Sequence, residues 1–96
     1  MKIAIASEGK TEESEISSRA GRAPYYIIFE KGKIVEVIKN PFAIGSGGAG
    51  WSVAHMLAEK KVDKVIAGKL GENMQTALKQ KGIEYEEKSG KVKELV

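Results

Sequence analysis

The 96-residue chain contains no cysteine. Composition alone therefore excludes disulfide bonds, thiolate nucleophiles and cysteine-ligated metal clusters. Histidine and aspartate are nearly absent as well, since each occurs once, as His55 and Asp63. A two-metal nuclease built on an α/β sheet needs several carboxylates around its ions, one of them on the first strand, where this chain has Ile3-Ala4-Ile5-Ala6. A catalytic serine needs a neighbouring base. The sequence offers neither arrangement, so we expect a protein that is not an enzyme.

Long apolar runs are also missing from the chain. No segment approaches the length of a membrane span, and Met1 and Lys2 lead directly into a strand pattern without the features of a signal peptide. We therefore expect a cytoplasmic protein that binds no membrane. The formal net charge of +3 favours anionic ligands in general but does not select nucleic acid, and no nucleic-acid partner is expected.

Length and composition describe one small domain. Ninety-six residues are enough for a single hydrophobic core, so we expect one domain over residues 1–96. Charged residues make up 30% of the chain, mostly Lys and Glu, whereas Asn and Gln are scarce. That balance is typical of proteins made at high temperature, which predicts a thermophilic source.

Alternating and β-branched runs predict the order β-β-β-α-β-α-β. The predicted strands cover residues 2–6, 25–30, 33–39, 62–67 and 83–86. The predicted helices cover residues 50–61 and 72–81, and a last helical turn is predicted over residues 91–96. Lys31-Gly32 predicts a tight hairpin, and right-handed crossovers make strands joined through a helix parallel. With the fourth strand beside the first, the fold class is α/β, a five-stranded mixed sheet in the order 3-2-1-4-5 with flanking helices.

This strand order brings three loops to one edge of the sheet, namely residues 7–23, 40–50 and 68–71. Ligands of open α/β sheets bind at such an edge. The first loop is long and polar, and loops of that length are usually functional or mobile. Because it carries Arg19 and Arg22, we expect these two side chains to bind an anion.

The glycine loop, residues 45–50, contains four glycines and precedes a predicted helix. Glycine permits positive φ and close approach of a ligand, and the free N–H groups at a helix start attract anions. The second predicted helix also begins after glycines. The glycines expected to bind an anion are Gly45, Gly47, Gly48, Gly50, Gly68 and Gly71. The alternative is a flexible connection that only caps a helix.

Two nucleotide-binding motifs are similar to the glycine loop, and neither fits. The spacing of its glycines matches G-x-G-x-x-G, but that motif follows the first strand of a βαβ unit and needs an acid about twenty residues later. Residues 68–71 supply no acid there. A P-loop requires Lys directly after its last glycine, where this chain has Trp51. We therefore reject both motifs.

Three segments carry a resemblance to a known family. They are Asn40-Pro41 with Gly47-Gly48-Ala49-Gly50, Gly21-Arg22-Ala23-Pro24-Tyr25-Tyr26, and Val62-Asp63-Lys64-Val65-Ile66-Ala67-Gly68 with Gly71. Together they resemble the dinitrogenase iron-molybdenum cofactor biosynthesis family, over nearly the whole chain and in the family's order. The resemblance implies a ribonuclease H-like fold. The family includes small stand-alone archaeal and bacterial domains, carriers of nitrogenase cofactor precursors and an orange protein that holds a molybdenum-copper sulfide cluster.

The chain departs from this family at the positions of metal ligands. Many members have Ser-x-His-Phe-Gly before the second strand, where this chain has Ser17-Ser18-Arg19-Ala20-Gly21. Many also carry His just before the Gly-Gly pair, where this chain has Ile44-Gly45-Ser46. The single histidine, His55, lies one helical turn past the glycine loop, where a helix-flank role is more common than metal ligation.

The resemblance therefore implies a binding or carrier domain for an anion. The ligand would be an iron-molybdenum or molybdenum-sulfide cluster, or an oxyanion, held by N–H groups and arginines without cysteine and with no side chain as metal ligand. An acceptor protein would be its partner. One alternative is a protein-protein interaction or regulatory domain that keeps the scaffold without bound metal. A weaker one is an enzyme that acts on a phosphorylated metabolite.

Overall fold

The computed structural model describes residues 1–45 and 48–95. The strands are β1 (Lys2–Ser7), β2 (Tyr25–Glu30), β3 (Lys33–Lys39), β4 (Lys64–Ala67) and β5 (Glu84–Glu87). The helices are α1 (Ala49–Glu59), α2 (Glu72–Gln80) and a short 3₁₀ helix (Val92–Leu95). Each element lies within about two residues of its predicted bounds, and the predicted element order is confirmed. In the ranges that the structure describes, no helix is long and apolar enough to span a membrane.

The sheet order is β3-β2-β1-β4-β5, as predicted. β1 pairs antiparallel with β2 and parallel with β4, and β2 and β3 form an antiparallel hairpin. Lys31 and Gly32 both have positive φ, at 53° and 76°, which matches the twist of a two-residue hairpin turn. The carboxyl ends of β1, β3 and β4 therefore meet at one edge of the sheet, as the sequence predicts.

Both helices cover the same face of the sheet. The crossovers from β3 to β4 and from β4 to β5 run in the same direction across the sheet, so right-handed connections place α1 and α2 on one side. Small residues on this face let the helices approach the sheet closely, and the Tyr26 side chain packs in the same cluster. The main buried side chains on this face are Ala4, Ala6, Tyr26, Ile28, Val65, Ala67, Val53, Leu57, Met74 and Leu78.

Among the described residues, loop and 3₁₀-helix segments cover the opposite face of the sheet, and no α-helix packs there. Ile16 from the long loop and Val92 from the 3₁₀ helix pack there against strand residues such as Ile5 and Phe29. Backbone hydrogen bonds join the two covering segments, since the Ile16 N–H donates to the Gly90 carbonyl at 2.8 Å. Part of the long polar loop is therefore a structural layer over the core.

This arrangement predicts a split pattern of amide exchange in the long loop. The N–H groups of Ile16 and Ser17 donate to Gly90 and to Ala6, so they should exchange about as slowly as β1. Residues 10–13 are exposed and should exchange quickly. Hydrogen exchange read out by NMR tests this directly. Uniformly fast exchange through residues 8–17 would contradict the layered packing.

Candidate functional site

Asn40 links two of the three loops at the edge of the sheet. Its side chain is only 4% exposed. Its Nδ2 donates to the carbonyls of Gly21 at 3.1 Å and Ala23 at 2.9 Å, while its Oδ1 accepts from the Phe42 N–H at 3.0 Å. An amide side chain supplies two donors and an acceptor in one plane, and here all three functions are used. Asn40 therefore fixes loop 20–24 against loop 40–43.

Tyr26 holds the same loop from beneath. Its side chain is fully buried, and its hydroxyl donates a hydrogen bond to the Ala20 carbonyl. Burial raises the pKa of the Tyr26 hydroxyl above its ordinary value, because the phenolate would lose its hydration. The hydroxyl therefore remains a neutral donor, and loop 20–24 is held from both sides.

Arg22 lies between the long loop and the glycine loop. Its Nη1 donates to the Phe42 carbonyl at 3.1 Å. A Cβ added to Gly45 would lie 3.7 Å from the same nitrogen. The half-buried guanidinium therefore turns toward the glycine loop, and it borders two cavities that lie on either side of it.

The first cavity, the helix cavity, has a volume of about 430 Å³. It lies where both helices begin. It is lined by Gly21, Arg22, Ala49, Gly50, Gly71, Glu72, Asn73 and Met74.

In the described residues 1–45 and 48–95, no side chain caps the N-terminus of α1 or of α2 at this cavity. Gly48 is the N-cap of α1 and Gly71 the N-cap of α2, and neither position carries a side chain that could accept a hydrogen bond. The first intrahelical bonds run from the N–H groups of Ser52 and Gln75. The three preceding N–H groups of each helix therefore have no acceptor within their helix. Two positive helix ends meet at one cavity.

Close packing explains why glycine occurs at several of these positions. A Cβ on Gly50 would lie 3.1 Å from the Met74 nitrogen, and one on Gly21 would lie 3.2 Å from the Gly50 nitrogen. These contacts bring the two helix starts and loop 20–24 together. A Cβ on Gly68 would lie 2.8 Å from the Ser18 Cα. Gly68 therefore permits packing at the end of β4, and it is not among the described residues that line either cavity.

Glu72 introduces an opposing charge at the helix cavity. It is exposed and lies in the first turn of α2. An acid is favourable there because it interacts with the helix dipole. The same carboxylate repels an anionic ligand, so Glu72 should limit the affinity of the cavity.

The second cavity, the strand cavity, has a volume of about 600 Å³ and lies at the ends of β2 and β3. Arg22 belongs to it as well. It is lined by Arg19, Arg22, Pro24, Tyr25, Lys39, Asn40, Pro41, Ala43 and Ile44. Lys10 adds a further cation, because its Nζ lies 5.8 Å from the centre of the Tyr25 ring.

The predicted site residues are thus divided between the helix cavity, the strand cavity and positions outside both. Arg22, Gly50 and Gly71 line the helix cavity, and Gly48 caps the helix beside it. Arg19 lines the strand cavity. Gly47 lies outside the described residues. The predicted site residues did not include Asn40, Lys39, Tyr25 or Glu72. Asn40 and Tyr25 do belong to the segments that carry the family resemblance, which was the available signal for these two residues.

The described residues offer no cluster of side chains for a metal ion. In residues 1–45 and 48–95, no three His, Cys, Asp or Glu side chains come together. His55 is exposed on α1, with its Nε2 3.6 Å from Glu59 Oε1. It therefore lies on a helix flank, as expected. The donors at this edge of the sheet include backbone N–H, guanidinium and ammonium groups, and they suit a preformed anion.

The chain is similar to known proteins over almost its whole length. The family model described as dinitrogenase iron-molybdenum cofactor matches residues 1–96. A solution structure of a protein from Thermotoga described as a NifB protein is 35% identical, with 97% of this chain and 81% of that chain covered and a TM-score of 0.80.

The apo form of the orange protein from Desulfovibrio gigas is 25% identical, with 98% of this chain and 82% of that chain covered and a TM-score of 0.90. A comparison with curated protein sequences gives no significant match. The family model covers every residue of the chain, and the structural likeness extends over almost all of it. The chain therefore belongs to the dinitrogenase iron-molybdenum cofactor family.

Proposed function

We propose that the protein binds or carries an anionic metal-sulfur cluster, or an oxyanion, in the helix cavity. The observation that carries this proposal is the convergence of two helix N-termini and the Arg22 guanidinium on one cavity. The family resemblance supports a ribonuclease H-like fold. It also supports a metal-sulfur cluster or an oxyanion as the ligand.

The physical basis is the positive potential at the start of each helix. Free N–H groups and the helix dipole favour negative charge, and a second helix with the same orientation reinforces the effect. Arg22 adds a full charge with several donors. Such a site needs no cysteine or histidine, because it binds the charge of the whole cluster and leaves the metal coordination to the cluster's own sulfides.

This mode of binding also suits a carrier. Hydrogen bonds to a cluster can be exchanged without breaking a bond between metal and protein. Release to an acceptor protein would then require only that the acceptor offers stronger ligands. In this role the domain holds and delivers its cargo without catalysis.

A second candidate function is protein-protein interaction or regulation. The edge strand β3 exposes Ile34, Val35 and Val37, which are 42%, 50% and 40% accessible. Exposed apolar residues on an edge strand are a common feature of binding surfaces. This surface lies on β3 and leaves the helix cavity free, so a carrier could use it to contact its acceptor.

Titration of the purified protein with anions and cations tests the proposal. Tetrathiomolybdate and molybdate should bind at least about tenfold more tightly than Zn²⁺ or Ni²⁺, because the cavity offers positive potential and no group of metal ligands. Calorimetry gives the affinities. The single tryptophan, Trp51, lies in the first turn of α1 and should change its fluorescence as the cavity fills.

Salt and one substitution serve as controls for this titration. Raising the salt concentration should weaken anion binding, since both partners carry charge. Arg22→Gln should weaken it about tenfold, the usual effect of losing a charge-assisted contact. If Zn²⁺ or Ni²⁺ bound more tightly than every anion tested, the proposed function would be wrong.

A further inference from the structure

The strand cavity differs in chemistry from the helix cavity. Its wall is formed mainly by apolar groups, among them Pro24, Pro41, Ala43 and Ile44, together with the ring of Tyr25. Ile44 is 93% exposed at its rim, which is unusual for a large aliphatic side chain. A volume of about 600 Å³ lies in the range of cavities that hold small organic molecules.

Positive charge surrounds this apolar wall. Arg19, Arg22 and Lys39 line the cavity, and Lys10 lies over the Tyr25 ring. Across residues 1–45 and 48–95, none of these four cations forms an ion pair with a carboxylate, whereas Lys60, Lys64, Lys88 and Lys93 do. The described lining of the cavity also contains no acidic residue. Unpaired cations around an apolar wall favour a ligand with an apolar body and a negative head group.

We infer that the strand cavity is a second binding site, for a small organic anion with a flat apolar body, such as an aromatic carboxylate. The body packs between the prolines, Ile44 and the Tyr25 ring. The carboxylate lies at the rim, within reach of Arg19 and Lys39. This site is independent of the proposed function, since its ligand and most of its residues differ from those of the helix cavity.

An inorganic oxyanion fits this cavity poorly. Apolar walls would remove water from such an ion without replacing its hydrogen bonds, which is unfavourable. A small ion would also leave most of the volume unfilled. A flat organic body instead gains from burial of apolar surface and from contact with the Tyr25 ring.

Two matched probes test this site, namely naphthoate and the neutral naphthalenemethanol. The protein is titrated with each while its backbone amide signals are followed by NMR. Naphthoate should bind at least about fivefold more tightly than the alcohol, because the cations act only on the carboxylate. The largest shifts should occur at Tyr25, Ala43 and Ile44. Equal affinities, or shifts confined to residues 34–37 on β3, would overturn the inference.

Substitutions at Ile44 provide the sharpest test, because its exposed side chain can be changed without affecting the core. Ile44→Asp places a negative charge at the rim and should weaken naphthoate binding about tenfold relative to Ile44→Asn, which makes the same change in shape without the charge. Equal affinities for the two variants would contradict the inference. Gly71→Asp, which alters the helix cavity, should leave naphthoate binding unchanged. If it removed binding, the ligand would lie in the helix cavity and the inference would be wrong.

Discussion

Gly71→Asp is expected to stabilise the fold and to weaken anion binding at the same time. Gly71 has φ −68° and ψ 160°, which any residue can adopt, and an added Cβ would meet nothing within 4 Å. Aspartate is a good N-cap and restricts the unfolded chain, so stability should rise by about 0.5–1 kcal/mol. The same carboxylate lies at the helix cavity. Repulsion should lower the affinity for molybdate or tetrathiomolybdate by about tenfold to a hundredfold.

Two further substitutions separate charge from shape in this experiment. Gly71→Asn caps the helix about as well and adds no charge, so it should stabilise the protein and weaken binding less than Gly71→Asp, since its cap occupies one N–H group without repelling the anion. Glu72→Gln removes the carboxylate already present at the cavity and should strengthen anion binding. Urea denaturation and calorimetry measure both quantities for each variant. If Gly71→Asp bound the anion as tightly as the unchanged protein does, the helix starts would serve only as caps, and the interaction-domain function would become the better proposal.

Asn40→Ala is expected to lower the free energy of unfolding more than the substitutions at Gly71, Glu72 and Asn73 change it. The substitution removes three hydrogen bonds and leaves the carbonyls of Gly21 and Ala23 and the Phe42 N–H without their partner. Unpaired buried polar groups are costly, so the free energy of unfolding should fall by about 2–4 kcal/mol. Since Asn40 joins the loops that border both cavities, binding at both sites should weaken in the protein that remains folded.

Asn73→Ala is the matched control for this substitution. Asn73 is exposed in the first turn of α2, so its loss should change the free energy of unfolding by less than about 0.5 kcal/mol. Urea denaturation of both variants gives the comparison. A cost below about 1 kcal/mol for Asn40→Ala would show that the loops hold their positions without this side chain.

Local pattern was sufficient to predict the order of the elements, and the order of the sheet followed once β4 was placed beside β1. The Lys31-Gly32 turn determines one hairpin, and the runs around β4, α2 and β5 differ clearly in period. The bounds of β4 were less accurate, since the apolar run begins at Val62 whereas pairing begins at Lys64. An apolar residue can be buried without pairing with a neighbouring strand, and the apolar pattern of a sequence indicates burial alone.

The candidate site was predicted only where its chemistry is local. A glycine at the N-cap of a helix leaves the first N–H groups uncapped wherever the chain runs, so Gly48 and Gly71 could be proposed from sequence. Gly50 lies inside α1, where a Cβ would come within 3.1 Å of the Met74 nitrogen. Gly68 shows the limit of this argument. A glycine that admits a ligand and one that admits a neighbouring backbone have the same side chain, and only the 2.8 Å approach to Ser18 indicates that Gly68 serves packing.

The sequence by itself was enough to predict the fold class and the edge of the sheet where the loops meet, and the preference for anions stays a prediction. These properties follow from periodicity, chain direction and residue type, which are local. Only the tertiary structure decided that Arg22 lines two cavities, that Asn40 joins the loops and that Lys39 and Tyr25 line one of the cavities. Those relations connect residues from about fifteen to fifty positions apart, and they exist only once β-strand pairing has brought the loops together.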